Sequence, residues 1–219
     1  MRVRNALHAL PGRFRTSLRI AGISAIDVFT LNTPLGAAIE HSVVDSLNDL
    51  REIWDPDGRY AYYSFIRQAQ AFPDVRLETT APDVAEPERI LMGVELKGGF
   101  ILAKEGEPSF RYRASPAVCA PQDLLVVFPW MLDEVISGAP KLMRPFIEEA
   151  RYAAEFRNHY WTELRGVKGS AAAIKTAEHQ TPYPTKIKNQ KFNDEAVSDS
   201  GNNFGRIARG GLMRHLSKS

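Results

Sequence analysis

The sequence predicts a mixed α/β (α+β) fold in which a central mixed β-sheet is flanked by helices. Three observations carry this expectation. Helix-period patterns fill residues 34–71, two strand-like segments follow at 72–77 and 93–98, and an unbroken apolar run, Leu124-Leu125-Val126-Val127-Phe128, precedes a second helical pattern. Helices before and after a sheet must bury one face each against it, which gives a layered sandwich. The 219 residues, 44% hydrophobic and 25% charged, suit one domain of moderate size spanning 1–219.

Each element has a local reason. Met1 to Arg19 is arginine-rich and reads as a short helix or arm, in contact with a polyanion or with the rest of the domain. Pro34 opens a helix running to about Trp54, where Asp55-Pro56-Asp57-Gly58 ends it by turn chemistry. Tyr63, Ile66 and Gln70 stand at helical spacing, predicting a second helix over Tyr60 to Ala71. The later strand of the pair is expected to continue through Gly99-Phe100-Ile101-Leu102-Ala103. The run at 124–128 has the continuous apolar character of a strand covered on both faces. Pro145 to Leu164 reads as one long helix with Arg144, Arg151, Arg157 and His159 set among aromatic residues. The lone His159, without a placed partner, is a poor general base.

The two strand-like segments, Phe72-Pro73-Asp74-Val75-Arg76-Leu77 and Gly93-Val94-Glu95-Leu96-Lys97-Gly98, are joined by a stretch rich in prolines and polar residues. Such composition suits the connection of an antiparallel pair. Placing Asp74 opposite Glu95 sets Val75 against Val94 and Leu77 against Met92. Because side chains alternate between faces, Val75, Leu77, Met92, Val94 and Leu96 then share one apolar face. The other face carries Asp74, Arg76, Glu78, Glu95 and Lys97. A slip of one residue would mix apolar and charged side chains on both faces, so the pattern selects this register.

Chemistry follows from that face. Asp74 and Glu95 offer hard oxygen ligands suited to Mg2+, leaving coordination positions for water and phosphate. Lys97, two residues from Glu95 and on the same face, is placed to orient or help deprotonate an attacking water. Asp83 also follows a proline, but the register puts it in the connecting loop. Glu40 shares a helical face with Val43, Val44 and Leu47, where a carboxylate needs a compensating partner. The plainer reading of these charges is a set of structural ion pairs.

Phe72-Pro73-Asp74-Val75 followed by Val94-Glu95-Leu96-Lys97 resembles the PD-(D/E)xK nuclease superfamily, and within it the type II restriction endonucleases. The resemblance covers mainly residues 34–104. It implies a restriction-endonuclease-like core, Mg2+-dependent hydrolysis of double-stranded DNA, and catalytic roles for Asp74, Glu95 and Lys97. It also implies a helix-borne auxiliary acid, matched here by Glu40, and a homodimer acting on both strands of a twofold-symmetric site. Another nuclease of the superfamily, acting in repair or on DNA structure, and a non-catalytic DNA-binding module are the alternatives.

The net charge of +2 conceals an uneven distribution. Residues 1–20 carry five arginines and no acids, residues 21–164 hold 13 basic against 22 acidic, and residues 165–219 hold 10 basic against 4 acidic. An acidic body with basic ends suits an enzyme that approaches a polyanion, because basic groups neutralise phosphates. In the basic C-terminal segment, Lys186 and Lys188 are candidate phosphate contacts. Asn202, Asn203, Arg206 and Arg209, in a glycine-containing stretch, are candidate contacts to phosphates or base edges. A single cysteine, Cys119, rules out an internal disulfide framework and favours a reducing, cytoplasmic location. No stretch approaches the ~18 apolar residues of a membrane span.

Overall fold

The computed structural model describes residues 1–24, 27, 32–68, 72–79, 81–85, 88–101, 114, 116–134 and 136–159, together with strand pieces at 174–175 and 195–196. The fold is mixed α+β, as expected: a six-stranded mixed sheet with helices on both faces. In chain order the elements are α1 (Val3–Arg13), α2 (Asn32–Asp49), α3 (Arg51–Trp54), β1 (Tyr63–Arg67), β2 (Val75–Thr79), β3 (Ile90–Phe100), β4 (Leu124–Leu132), β5 (Pro140–Leu142), β6 (Phe146–Glu149) and α4 (Ala150–His159). The strands follow the order β1-β2-β3-β4-β5, and β6 shares with β5 the far edge of β4. Only β3 and β4 are parallel; every other pair is antiparallel. The pieces Ile174–Lys175 and Glu195–Ala196 pair separately.

The expected register of β2 and β3 is the one found. Val75 pairs with Val94 and Leu77 with Met92, after which a bulge sets Glu78 against Ile90. Val75, Leu77, Met92, Val94 and Leu96 are all buried in the larger core. That core lies under α1 and α2, whose Leu7, Leu10, Val43 and Leu47 are fully buried. The N-terminal segment is thus a core helix on its apolar side, since Val3, Ala6, Leu7 and Leu10 recur at helical spacing. Its arginines Arg2, Arg4 and Arg13 are exposed.

Strand β4 is buried along its length apart from Met131, matching the continuous apolar run. Its Leu125 belongs to a second core on the other face, with Phe72, Val118, Cys119, Ala150, Ala153 and Ala154. The small residues of α4 let that helix lie close to the sheet. Gly98 lies on the opposite face, where a Cβ would make ordinary contacts, 3.9 Å from the Gly36 backbone of α2 and 3.4 Å from Trp130 Nε1.

Three expectations are corrected. Tyr60 to Ala71 is not a helix: its described residues form a turn and β1, with residues 69–71 outside the described set. The aromatic and branched residues of Tyr63–Arg67 suit an extended strand, and antiparallel pairing with β2 outweighs the helical spacing. The outer edge of β1 is closed by helix side chains. Asn48 of α2 donates to Phe65 O at 2.9 Å and accepts from Phe65 N at 2.8 Å, while Arg51 donates to Tyr63 O at 2.5 Å. Second, Pro145 to Leu164 is not one helix. Phe146–Glu149 instead pair with the first half of β4, whose edge would otherwise be bare, and α4 starts only at Ala150. Third, β3 ends at Phe100 and Ile101 is a turn residue, although its N still donates to Trp130 O at 3.0 Å; Leu102 and Ala103 lie outside the described residues.

The helix expected from Pro34 to Trp54 is present as α2 and α3, broken at Leu50. Its end is fixed by buried Asp55, whose carboxylate accepts from Arg59 N and Tyr60 N, each at 2.9 Å. Gly58 takes φ +66° in that turn, a conformation glycine adopts freely.

Replacing Asn48 by Ala leaves the Phe65 amide and carbonyl without their partners. Unfolding in urea should show a loss of about 1–3 kcal/mol; an unchanged midpoint would mean that water serves this edge equally well.

Candidate active site

One step beyond the Val75–Val94 pair, the register brings Asp74 against Glu95, and the side chains meet there. Lys97 Nζ donates to Glu95 Oε1 at 2.6 Å, to Leu96 O at 3.0 Å and to Asp74 Oδ2 at 3.5 Å. Asp74 Oδ2 also accepts from Leu96 N at 2.8 Å. The carboxylate of Asp74 is therefore tied to β3 twice, by a backbone amide and by an ammonium. Asp83, by contrast, is exposed in the β2–β3 connection. Five residues along β3 separate that end of the strand from Glu95, roughly 16 Å at the usual rise.

These residues occupy the face of the sheet that also carries Leu125 and α4. The parallel register sets Glu95 beside Leu125 and Lys97 beside Val127, two buried apolar residues. Glu95 is consequently almost enclosed, whereas Asp74 and Lys97 keep partial access to solvent. Burial pushes the Glu95 carboxyl up to about 7 and the Asp74 charge adds to the rise, with Lys97 opposing both. For Lys97, burial alone would lower the pKa, but Glu95 and Asp74 outweigh it and hold the ammonium well above its ordinary value.

Glu40 stands on α2 beside this group. Its Oε2 lies 3.6 Å from Arg67 of β1, so the plainer expectation of a helix-edge ion pair is met. Burial, and then the Asp74 charge, raise its pKa, while Lys97 and Arg67 lower it. Glu40 thus shares an electrostatic environment with Asp74 and Lys97.

The donor set fits a hard divalent cation such as Mg2+. Glu95 Oε2 is buried and has no hydrogen-bond partner, an orphan that a cation would satisfy. Asp74 supplies a second carboxylate. Among the described residues no three His, Cys, Asp or Glu side chains are grouped to hold a metal ion. Two carboxylates leave the remaining positions to water or phosphate, the arrangement Mg2+ favours.

Sequence reasoning missed Asp123. It is buried just before β4, and its Oδ1 accepts from Gly93 N at 2.6 Å and its Oδ2 from Ala120 N at 2.8 Å. An isolated aspartate ahead of an apolar run was the only signal available. The candidate DNA contacts Lys186, Lys188, Asn202, Asn203, Arg206 and Arg209 lie outside the described residues, as does the side chain of His159. No helix of the described residues is long and apolar enough to cross a membrane. No known protein family and no curated protein matches the chain.

The raised pKa of Glu95 has a defined consequence for stability. The folded protein binds a proton there that the unfolded chain has released above about pH 4.5, so this group's contribution is full below that pH and is lost as pH rises towards 7. In urea titrations without divalent metal, Glu95→Gln should flatten the decline across this window. An identical pH profile for the variant and the parent would contradict the assignment.

Proposed function

We propose that the protein is a Mg2+-dependent endonuclease that hydrolyses phosphodiester bonds of double-stranded DNA, of the type II restriction kind, with Asp74, Glu95 and Lys97 as its catalytic group. The observation that carries this reading is the convergence of the three residues on one face of the sheet, Asp74 just ahead of β2 and Glu95 and Lys97 on β3, with Lys97 Nζ reaching both carboxylates.

The charge balance supports the same reading. Asp74, Glu95 and Glu40 are opposed by Lys97 and Arg67, so the fully ionised group is net negative and would repel a phosphate unless a cation enters. Mg2+ held by Asp74 and Glu95 would neutralise charge on the phosphorus and lower the pKa of a bound water. Lys97, kept protonated, serves better to orient the water and face the developing negative charge than to take a proton. Glu95 must lose its proton to serve as a ligand, so Mg2+ binding would compete with that proton and weaken as pH falls. Glu40 of α2, paired with Arg67 of β1, would add to the charge around the site. A homodimer placing one such site on each strand, and base recognition through the C-terminal segment, belong to the same proposal.

Incubation with plasmid DNA of known sequence tests it. The expected result is discrete fragments in Mg2+ and none in EDTA, with Asp74→Ala and Lys97→Ala each reducing the rate by about 10²-fold or more. Absence of Mg2+-dependent cleavage by the parent protein, or its survival in both variants, would sink the proposal. Fragment ends at scattered sequences would favour a repair or structure-specific nuclease.

A further inference from the structure

We propose that Asp123 is the positioning residue of this site: its carboxylate fixes the Gly93 peptide beneath Pro73, and that contact sets Asp74 over Glu95. The inference rests on the nuclease reading only for its kinetic part. Its structural part stands on the geometry of four residues.

Asp123 is 1% exposed, and both its carboxylate oxygens accept backbone amides, Gly93 N at 2.6 Å and Ala120 N at 2.8 Å. The β3–β4 ladder begins one residue later, at Val94 and Leu124. Asp123 therefore extends the grip of β4 on β3 by one step, with a side chain where the ladder has no backbone acceptor. Short bonds from amides to an ionised carboxylate are stronger than those between neutral groups.

What lies on the gripped peptide is the segment that carries Asp74. A Cβ at Gly93 would stand 2.8 Å from Pro73 Cβ, closer still to Pro73 Cγ, and 3.1 Å from Asp123 Oδ1. Pro73 thus fills the notch that the missing side chain leaves. From the other side Gln68 holds the same segment: its backbone N donates to Asp74 O at 2.7 Å, and its Nε2 donates to Phe72 O at 3.2 Å and to Pro73 O at 3.4 Å. Asp74 lies outside β2, so its place is set by these flanking contacts and by its own bond to Leu96 N. If Gly93 moves, Pro73 moves, and Asp74 leaves Lys97.

The side-chain and backbone roles of Asp123 can be separated. Its backbone N donates to Ala120 O at 3.1 Å and its O accepts from Ala150 N at 2.9 Å, anchoring the start of α4 whatever the side chain is. Asp123→Asn keeps these bonds and the volume, but replaces one acceptor with an amino group facing an N–H donor. Gly93→Ala keeps the Asp123 carboxylate and presses chiefly on Pro73, with a lesser push of a few tenths of an ångström on Asp123 Oδ1.

The experiment combines amide hydrogen exchange with cleavage kinetics on the full chain, below the melting temperature of each variant. The expected result is faster exchange at Leu96 N in both variants relative to Val126 N in β4, together with a loss in kcat of about 10²-fold. KM for DNA should stay unchanged, because Asp123 is buried away from any ligand. Parental exchange at Leu96, or exchange rising equally across the sheet, would overturn the proposal and leave Asp123 an ordinary fold contact. If Asp123→Asn fails to fold, Asp123→Glu, which keeps a carboxylate at a shifted position, takes its place, and parental exchange at Leu96 in it or in Gly93→Ala overturns the proposal. If the parent protein cuts no DNA, the nuclease reading fails, and the Leu96 exchange still decides the role of Asp123.

Discussion

Glu95 places a carboxylate inside an apolar sandwich, and much of the surrounding structure answers that cost. An unpaired charge in such a place would be strongly unfavourable, so either the group is neutralised or a counter-charge must be near. Lys97 supplies one at 2.6 Å on the same face of the same strand. The ammonium, itself largely buried, then draws on Asp74 and on Leu96 O. Even so, burial prevails and the Glu95 carboxyl is pushed up to about 7. A pair retained only for stability would more economically be a pair of apolar residues, since buried ion pairs seldom repay their desolvation. The second Glu95 oxygen, Oε2, is left without a hydrogen-bond partner in this enclosure.

The sheet makes this placement possible by giving its two faces different work. On β3, Met92, Val94 and Leu96 face α2, where they complete the larger core. Gly93, Glu95 and Lys97 face the other way. Because β3 and β4 are parallel and in register, the apolar side chains of Leu125 and Val127 flank the charged pair and exclude water from one side. On the other side, β2 begins only at Val75, so β3 extends past its neighbour beyond that point. That difference in cover explains why Glu95 is enclosed while Asp74 and Lys97 retain access.

How much of this was legible in the sequence depended on how local the determinant was. The β2–β3 register could be read because five apolar residues alternate with five charged ones, and only one alignment keeps them apart. The burial of β4 was plain from its unbroken apolar run. Strand β1 was not legible: Tyr63, Ile66 and Gln70 match a helical period, and the competing facts are pairing with β2 and the Asn48 and Arg51 caps, contacts made across the chain. The same holds for β6, which is a strand because β4 offers it an edge. Asp123 was hidden for a related reason, since its meaning comes from Gly93, thirty residues earlier.

The position of Glu40 follows from the same economy of charge. It reaches the site from α2, a different layer from β2 and β3, and it is only half-buried, so its field on Asp74 is softened by solvent. Arg67 partly compensates it at 3.6 Å, a distance at which the guanidinium is not committed to a close bond. Removing either partner would shift the local charge by one unit without touching the Lys97 contacts. Glu40 therefore acts on the charge state of the site more than on its shape, whereas Asp74 and Lys97 determine both. In the proposed metal site, Asp74 and Glu95 would define where a cation sits, and Glu40 with Arg67 would adjust how strongly the site attracts it.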